Sequence, residues 1–218
     1  MSQVRTVATP HGDARLHSDR AHEPVATLLL GHGAGGGVEA PDLVALAAAL
    51  PRQGVSVLRV EQPWRVAGRK IAPRPQVLDE CFVAVAHTLR PRTPLVVGGR
   101  SAGARSAART AHALGAAGYL ALAFPLHPPG HPEKSRLAEL EGVSLPTLVV
   151  QGERDPFGTP EEFPPDRELA VVPGADHGFS VPKRAPVDAD EAMGIVVMAV
   201  LEWVVRDVVG PGGNQIPG

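Results

Sequence analysis

The chain has 218 residues, 44% of them hydrophobic and 20% charged, enough apolar length for one folded domain with a substantial core and too much for a disordered polymer. The formal net charge is −2, and Lys and Arg are scattered along the chain, which argues against a nucleic-acid partner. Cys81 is the only cysteine, so an intrachain disulfide and a thiolate metal cluster are both excluded.

The opening "MSQVRTVATPHGDARLHSDR" has no apolar core of signal-peptide type, and a cytoplasmic protein is expected. Within it, "VRTVATPHGDARLHSD" offers one or two weak antiparallel edge strands. From there a short apolar run recurs, each followed by a segment of helical period. The runs are "VATLLL", "VSVLRV", "PLVVG", "YLALAF", "PTLVV" and "ELAVV". Uninterrupted runs of this length suit strands buried on both faces. The intervening helices are "PDLVALAAAL", "RPQVLDECFVAVAHTL", "AGARSAARTAHAL" and "DADEAMGIVVMAVLEWVVRDV". Leu43, Leu46, Ala47 and Leu50 share one face of the first; Leu78, Phe82, Val85 and Leu89 share one face of the second. Cys81 falls in that second helix and reads as a small buried apolar residue. The stretch "AMGIVVMAVLEWVV" is shorter than the roughly 20 residues a membrane span needs and contains Glu202, so it reads as a buried helix and no membrane partner is expected. Such alternation predicts an α/β fold: a doubly wound, mostly parallel sheet with helices on both faces, in a single domain over residues 1–209. The final "GPGGNQIPG", residues 210–218, has nothing to bury and is expected to be a disordered tail.

Catalytic groups in such sheets collect on the loops that leave the C-terminal ends of the strands. After "PLVV" comes "GGRSAGAR", where Gly99, Ser101 and Gly103 form G-x-S-x-G, the nucleophile-elbow pattern. Ala104, Ala107, Ala108 and Ala111 give the following helix a small-residue inner face, so that it can pack closely beneath the elbow. After "PTLVV" comes "QGERDPFGTP", with Glu153 and Asp155; after "ELAVV" comes "PGADHGFS", with His177. Singly, each of these is ordinary turn chemistry. Together they stand in the order Ser, Asp, His at successive strand ends, and Ser101, Asp155 and His177 become the expected triad. Glu153 and Asp176 are the competing acids. Asp155 is preferred because it lies beyond the strand end, whereas Asp176 adjoins His177 and neighbouring side chains seldom face each other.

The segment "TLLLGHGAGGG" has two readings. Gly31, Gly33 and Gly36 fit the G-x-G-x-x-G turn of a dinucleotide site, and Glu61 follows the next strand where a ribose-binding acid would stand. Against it, the helix is delayed to about Pro41, and Ser101, Asp155 and His177 would be left without a role. The preferred reading is an oxyanion loop, with the backbone N–H of Ala102 as one donor and that of Ala34 as the other, Gly35 being the alternative. His32 then serves to hold the loop.

At this point the chain resembles the compact α/β-hydrolases related to dienelactone hydrolase. The resemblance is carried by "LLLGHGAGGG", "GGRSAGAR", "FPLHPPGHPEKSR", "LVVQGERDPFGTPEE" and "PGADHGF", and runs from about Val25 to Trp203. The closest branch holds bacterial hydrolases, testis-expressed thirty-like proteins and the third subunit of the non-specific-lethal complex, with Phe124–Arg136 as the most branch-specific block. Members of that branch more commonly carry Met and Gly where Ala102 and Ala104 stand. Dienelactone hydrolases proper use a cysteine nucleophile, so Ser101 points to esterase-type chemistry. The resemblance implies acyl transfer to water from a small-molecule ester or other acyl substrate, with no cofactor and no metal. The alternative is a silent hydrolase scaffold used for protein interaction. The short Phe124–Pro146 stretch leaves no room for a large lid. Gly35, Trp64, Arg100, Phe124 and His127 are the pocket candidates. No interface element stands out, and the oligomeric state stays open.

Overall fold

The computed structural model describes residues 2–210, so most of the expected tail lies outside the described residues. Eight strands form one sheet: β1 (Gln3–Thr9), β2 (Gly12–Asp19), β3 (Ala26–Gly31), β4 (Val55–Glu61), β5 (Leu95–Arg100), β6 (Gly118–Leu122), β7 (Thr147–Gly152) and β8 (Glu168–Val172). Their spatial order is β1-β2-β4-β3-β5-β6-β7-β8. β1 and β2 make an antiparallel hairpin, β2 pairs antiparallel with β4, and every later pairing is parallel. This is the α/β-hydrolase fold. Every apolar run of the sequence became a strand; the central ones are covered on both faces and have no solvent side to alternate toward, while β8, at the sheet edge, is half exposed.

The helices are α1 (Pro41–Ala49), α2 (Pro63–Val66), α3 (Pro75–His87), α4 (Ala102–Thr110), α5 (Leu137–Glu141) and α6 (Ala189–Trp203). α1 and α6 cover one face, where Leu43, Leu46, Val196 and Trp203 meet Leu28, Leu30, Val57 and Val150. α3 and α4 cover the other, where Phe82 and Val85 pack with the α4 alanines and Tyr119. Burying a side chain the size of Phe82 stabilises the fold by about 1.5–3 kcal/mol.

Helix ends depart modestly from the periodic pattern. α4 stops at Thr110, where turns carry the chain through Gly115, and α6 ends in a π-turn over Val204–Val209. α1 begins at Pro41, whose fixed φ and missing N–H suit a first helical turn. Among the described residues no helix is long and apolar enough to cross a membrane.

Candidate active site

Glycine geometry builds the elbow between β5 and α4. Ser101 has φ 53° and ψ −114°, a strained conformation for a residue with a side chain. Its N–H donates to the Leu122 carbonyl at 3.0 Å, which ties the turn to the end of β6. A side chain on Gly99 would come within 2.5 Å of the Gly31 carbonyl oxygen, and one on Gly103 would overlap the same peptide unit. Only hydrogen fits between the elbow and the end of β3. Among the described residues, the other two non-glycine residues with positive φ are Ala123, just past β6, and Phe179, in the loop after β8.

The strand-end loops bring Ser101, His177 and Asp155 together. Ser101 Oγ lies 2.9 Å from His177 Nε2, and His177 Nδ1 lies 2.8 Å from Asp155 Oδ2. A carboxylate can only accept, so Nδ1 carries the proton and Nε2 presents its lone pair to the serine hydroxyl. Asp155 is fully buried and fully satisfied. Its Oδ2 also accepts from Gln151 Nε2 at 2.9 Å, and its Oδ1 from the Phe157 N–H at 2.8 Å. The Phe157 ring lies 4.2 Å from the imidazole, centroid to centroid.

The competing acids are engaged elsewhere. Glu153 accepts from the Gly174 N–H at 2.5 Å. Asp176 accepts from the N–H groups of Gly178 and Ser180 and closes the loop that carries His177.

Gly33, Ala34, Gly35, Ser101, Ala102 and His177 are among the residues that line one cavity of about 460 Å³. His32 fixes its glycine wall. Ring Nδ1 donates to the Gly33 carbonyl at 2.8 Å, and Nε2 accepts from the Gln62 N–H at 3.1 Å. The bond accepted at Nε2 requires the neutral ring, and burial lowers the pKa of His32, more than the Gly33 contact and nearby Glu39 and Glu61 raise it.

Of the pocket candidates, Gly35 and Arg100 line this cavity, whereas Trp64, Phe124 and His127 do not. Trp64 packs behind the glycine-rich loop after β3 against His32, with ring centroids 5.7 Å apart. Phe124 points into the core, because the positive φ of Ala123 turns the chain inward there. His127 braces two loops: its N–H donates to the Phe157 carbonyl at 3.0 Å, and its ring meets Glu162 Oε2 at 2.8 Å. The Pro128 carbonyl and then Glu162 hold the pKa of that ring above its ordinary value.

Two supporting residues belong to no motif. Gln151 ends an apolar strand, and its side chain bonds Asp155, the Gly158 carbonyl and both backbone groups of Phe124. Asp42 is wholly buried beneath Arg100, with Arg100 Nη1 3.6 Å from its Oδ1, while Arg100 Nη2 donates to the His177 carbonyl at 2.7 Å. A polar residue on an otherwise apolar buried stripe was the available signal in both cases. Among the described residues no group of three or more His, Cys, Asp or Glu is placed to hold a metal ion.

Residues 24–205 match the model of the family described as alpha/beta hydrolase domain. Among curated proteins, none matches this chain. Solved structures share the fold. XC6422 of Xanthomonas campestris, described as a member of the a/b serine hydrolases without lid, superposes with a TM-score of 0.71 at 22% identity over 93% of this chain and 94% of that one. An alpha-beta serine hydrolase homologue from Coxiella burnetii gives 0.71 at 21% identity, over 90% and 96%. A dienelactone hydrolase from Anabaena variabilis gives 0.72 at 18% identity, over 95% and 98%. With a family model spanning most of its length, the chain belongs to the alpha/beta hydrolase domain family.

Proposed function

We propose that the protein is a serine hydrolase of carboxylesterase type, with Ser101 as nucleophile, His177 as general base and Asp155 as the group that orients it. One observation carries the reading: an unbroken relay of hydrogen bonds from Ser101 through His177 to a buried Asp155, opening on a cavity. His177 Nε2 takes the Oγ proton as Ser101 attacks the carbonyl carbon. The tetrahedral oxyanion collapses, the leaving alcohol takes the proton from His177, and a water activated by the same ring then releases the acid. No step draws on a metal or an organic cofactor.

The oxyanion donors are the N–H groups of Ala102 and Ala34. Ala102 opens α4, where the first amides have no partner within the helix. Support for Ala34 comes from His32: holding the Gly33 carbonyl turns the N–H of the same trans peptide the opposite way. Each such donor is worth about 100- to 1000-fold in rate.

The substrate is a small-molecule ester or related acyl compound, and the protein works in the cytoplasm. Est1E of Butyrivibrio proteoclasticus, a neighbour in fold, is known with bound ferulic acid, which supports a small acyl ligand. On the Phe124–Arg136 block we place the chain beside the testis-expressed thirty-like and non-specific-lethal subunit-three-like branch.

A fluorophosphonate probe tests the reading. Wild type is labelled and Ser101→Ala is not; a folded wild type that resists labelling leaves only the scaffold. A panel of p-nitrophenyl esters run beside acyl-CoA and peptide substrates separates esterase from thioesterase and peptidase.

A further inference from the structure

The charges around the cavity are one-sided. Arg100, Arg105 and Arg136 all line it, and no Asp or Glu does. Arg100 is committed to the His177 carbonyl and to buried Asp42. Arg105 gives Nε and Nη2 to the two oxygens of Glu139, at 2.7 and 2.6 Å. Glu139 is shared with Arg109, which also forks onto Asp79. Arg105, Arg109 and Arg136 thus face only Glu139 and Asp79, and one positive charge stays uncompensated.

That surplus resides on Arg136. It makes no ion pair among the described residues, and its side chain donates only one bond, from Nη1 to the Pro125 carbonyl at 3.3 Å, on the cavity wall. Its backbone is fixed, since the Arg136 N–H donates to the Leu126 carbonyl at 2.6 Å. Its pKa is drawn below the usual arginine value, first by partial burial and then by the charge of Arg105, and Glu139 compensates only in part. A guanidinium has five N–H donors in a planar fork that matches the oxygens of a carboxylate or phosphate.

We propose that Arg136, with Arg105 beside it, forms an anion subsite that selects esters carrying a carboxylate or phosphate remote from the scissile carbonyl. The proposal rests on the serine-hydrolase reading for its catalytic half. The cavity of about 460 Å³ suits such a small bifunctional substrate.

The test compares p-nitrophenyl hemiglutarate with p-nitrophenyl valerate, in which a methyl group replaces the carboxylate. Wild type favours the anionic ester in kcat/KM by about 10- to 100-fold, the range for a hydrogen bond to a charged group. Added salt narrows the gap. In Arg136→Gln the ratio collapses by the same factor; Arg136→Lys restores part of it, and Arg92→Gln, on a distant exposed turn, leaves it unchanged. Competition against p-nitrophenyl acetate identifies the anion: glutarate inhibiting more strongly assigns a carboxylate, inorganic phosphate a phosphate. A ratio near one, with neither anion inhibiting, overturns the subsite while the hydrolase reading stands. If no ester is turned over and the fluorophosphonate fails to label, the hydrolase reading falls. Calorimetric titration of the folded protein with glutarate and phosphate then decides the subsite alone, since Arg136-dependent binding supports it and absent binding overturns it.

Discussion

Two aspartates, each with no solvent exposure, reach His177 by different routes, one directly and one through Arg100, and meet opposite fates. Asp155 takes three hydrogen bonds, from His177, Gln151 and the Phe157 amide. Neither oxygen of Asp42 has a hydrogen-bond partner among the described residues, and its nearest cation is Arg100 at 3.6 Å. Burial therefore raises the pKa of Asp42 in spite of Arg100. Residue type and depth of burial do not settle what a carboxylate does; the donors around it do. Asp155 is built to keep a fixed direction toward one imidazole, whereas Asp42 supplies Coulomb attraction to an arginine that steadies the other end of the same residue.

The largest expected contrast is in turnover. Asp155→Asn should lower kcat by about 10⁴, because an amide permits the wrong imidazole tautomer while the fold survives; ester kinetics alongside a thermal melt separates the two effects. Next, Gln151→Ala strips a partner from Asp155 and from the Phe124 backbone. Each buried group left unpaired costs about 1–3 kcal/mol, read as a lower urea midpoint. Asp42→Asn should cost no more than about tenfold in kcat, equivalent to roughly 1.4 kcal/mol, since it touches no reacting group. Its signature lies in pH. A raised folded pKa means that the native state holds the proton more tightly, so Asp42 favours folding below its unfolded value of about 3.9 and loses that contribution as pH rises through the raised value. Urea melts of wild type across that range should therefore slope downward relative to Asp42→Asn. The smallest effect concerns His32. Its pKa is depressed, so its contribution is present above about pH 6.5 and lost as pH falls through the lower folded value. The stability difference between wild type and His32→Gln should shrink below about pH 6.5. His127 has the opposite sign but is common to both proteins and cancels.

Local patterns were readable from the chain alone. The doubly covered strands announce themselves as apolar runs, and the elbow as five residues whose spacing the turn itself demands. Ser101, Asp155 and His177 each follow an apolar run, and His177 lies within hydrogen-bond reach of both the others. What could not be read depends on contacts between distant segments. Gln151 looks like any polar residue at a strand end until Phe124, 27 positions away, is seen to need it. Trp64, Phe124 and His127 are an aromatic, an aromatic and an imidazole just past strands, a description that fits cavity wall, core and loop brace equally well. Only the backbone direction at Ala123 and the partners of each ring distinguish these cases. The uncompensated charge of Arg136 is likewise a property of the ion-pair network as a whole.

In the sheet, β3 and β5 are neighbours although 63 residues of chain lie between Gly31 and Leu95, and their parallel register sets Gly31 opposite Gly99. The two loops proposed to supply the oxyanion donors thus leave adjacent strands at one level, and the spacing of about 4.8 Å between strands is common to all sheets. Backbone pairing sets where the two loops start, and the His32 ring then aims the Gly33–Ala34 peptide.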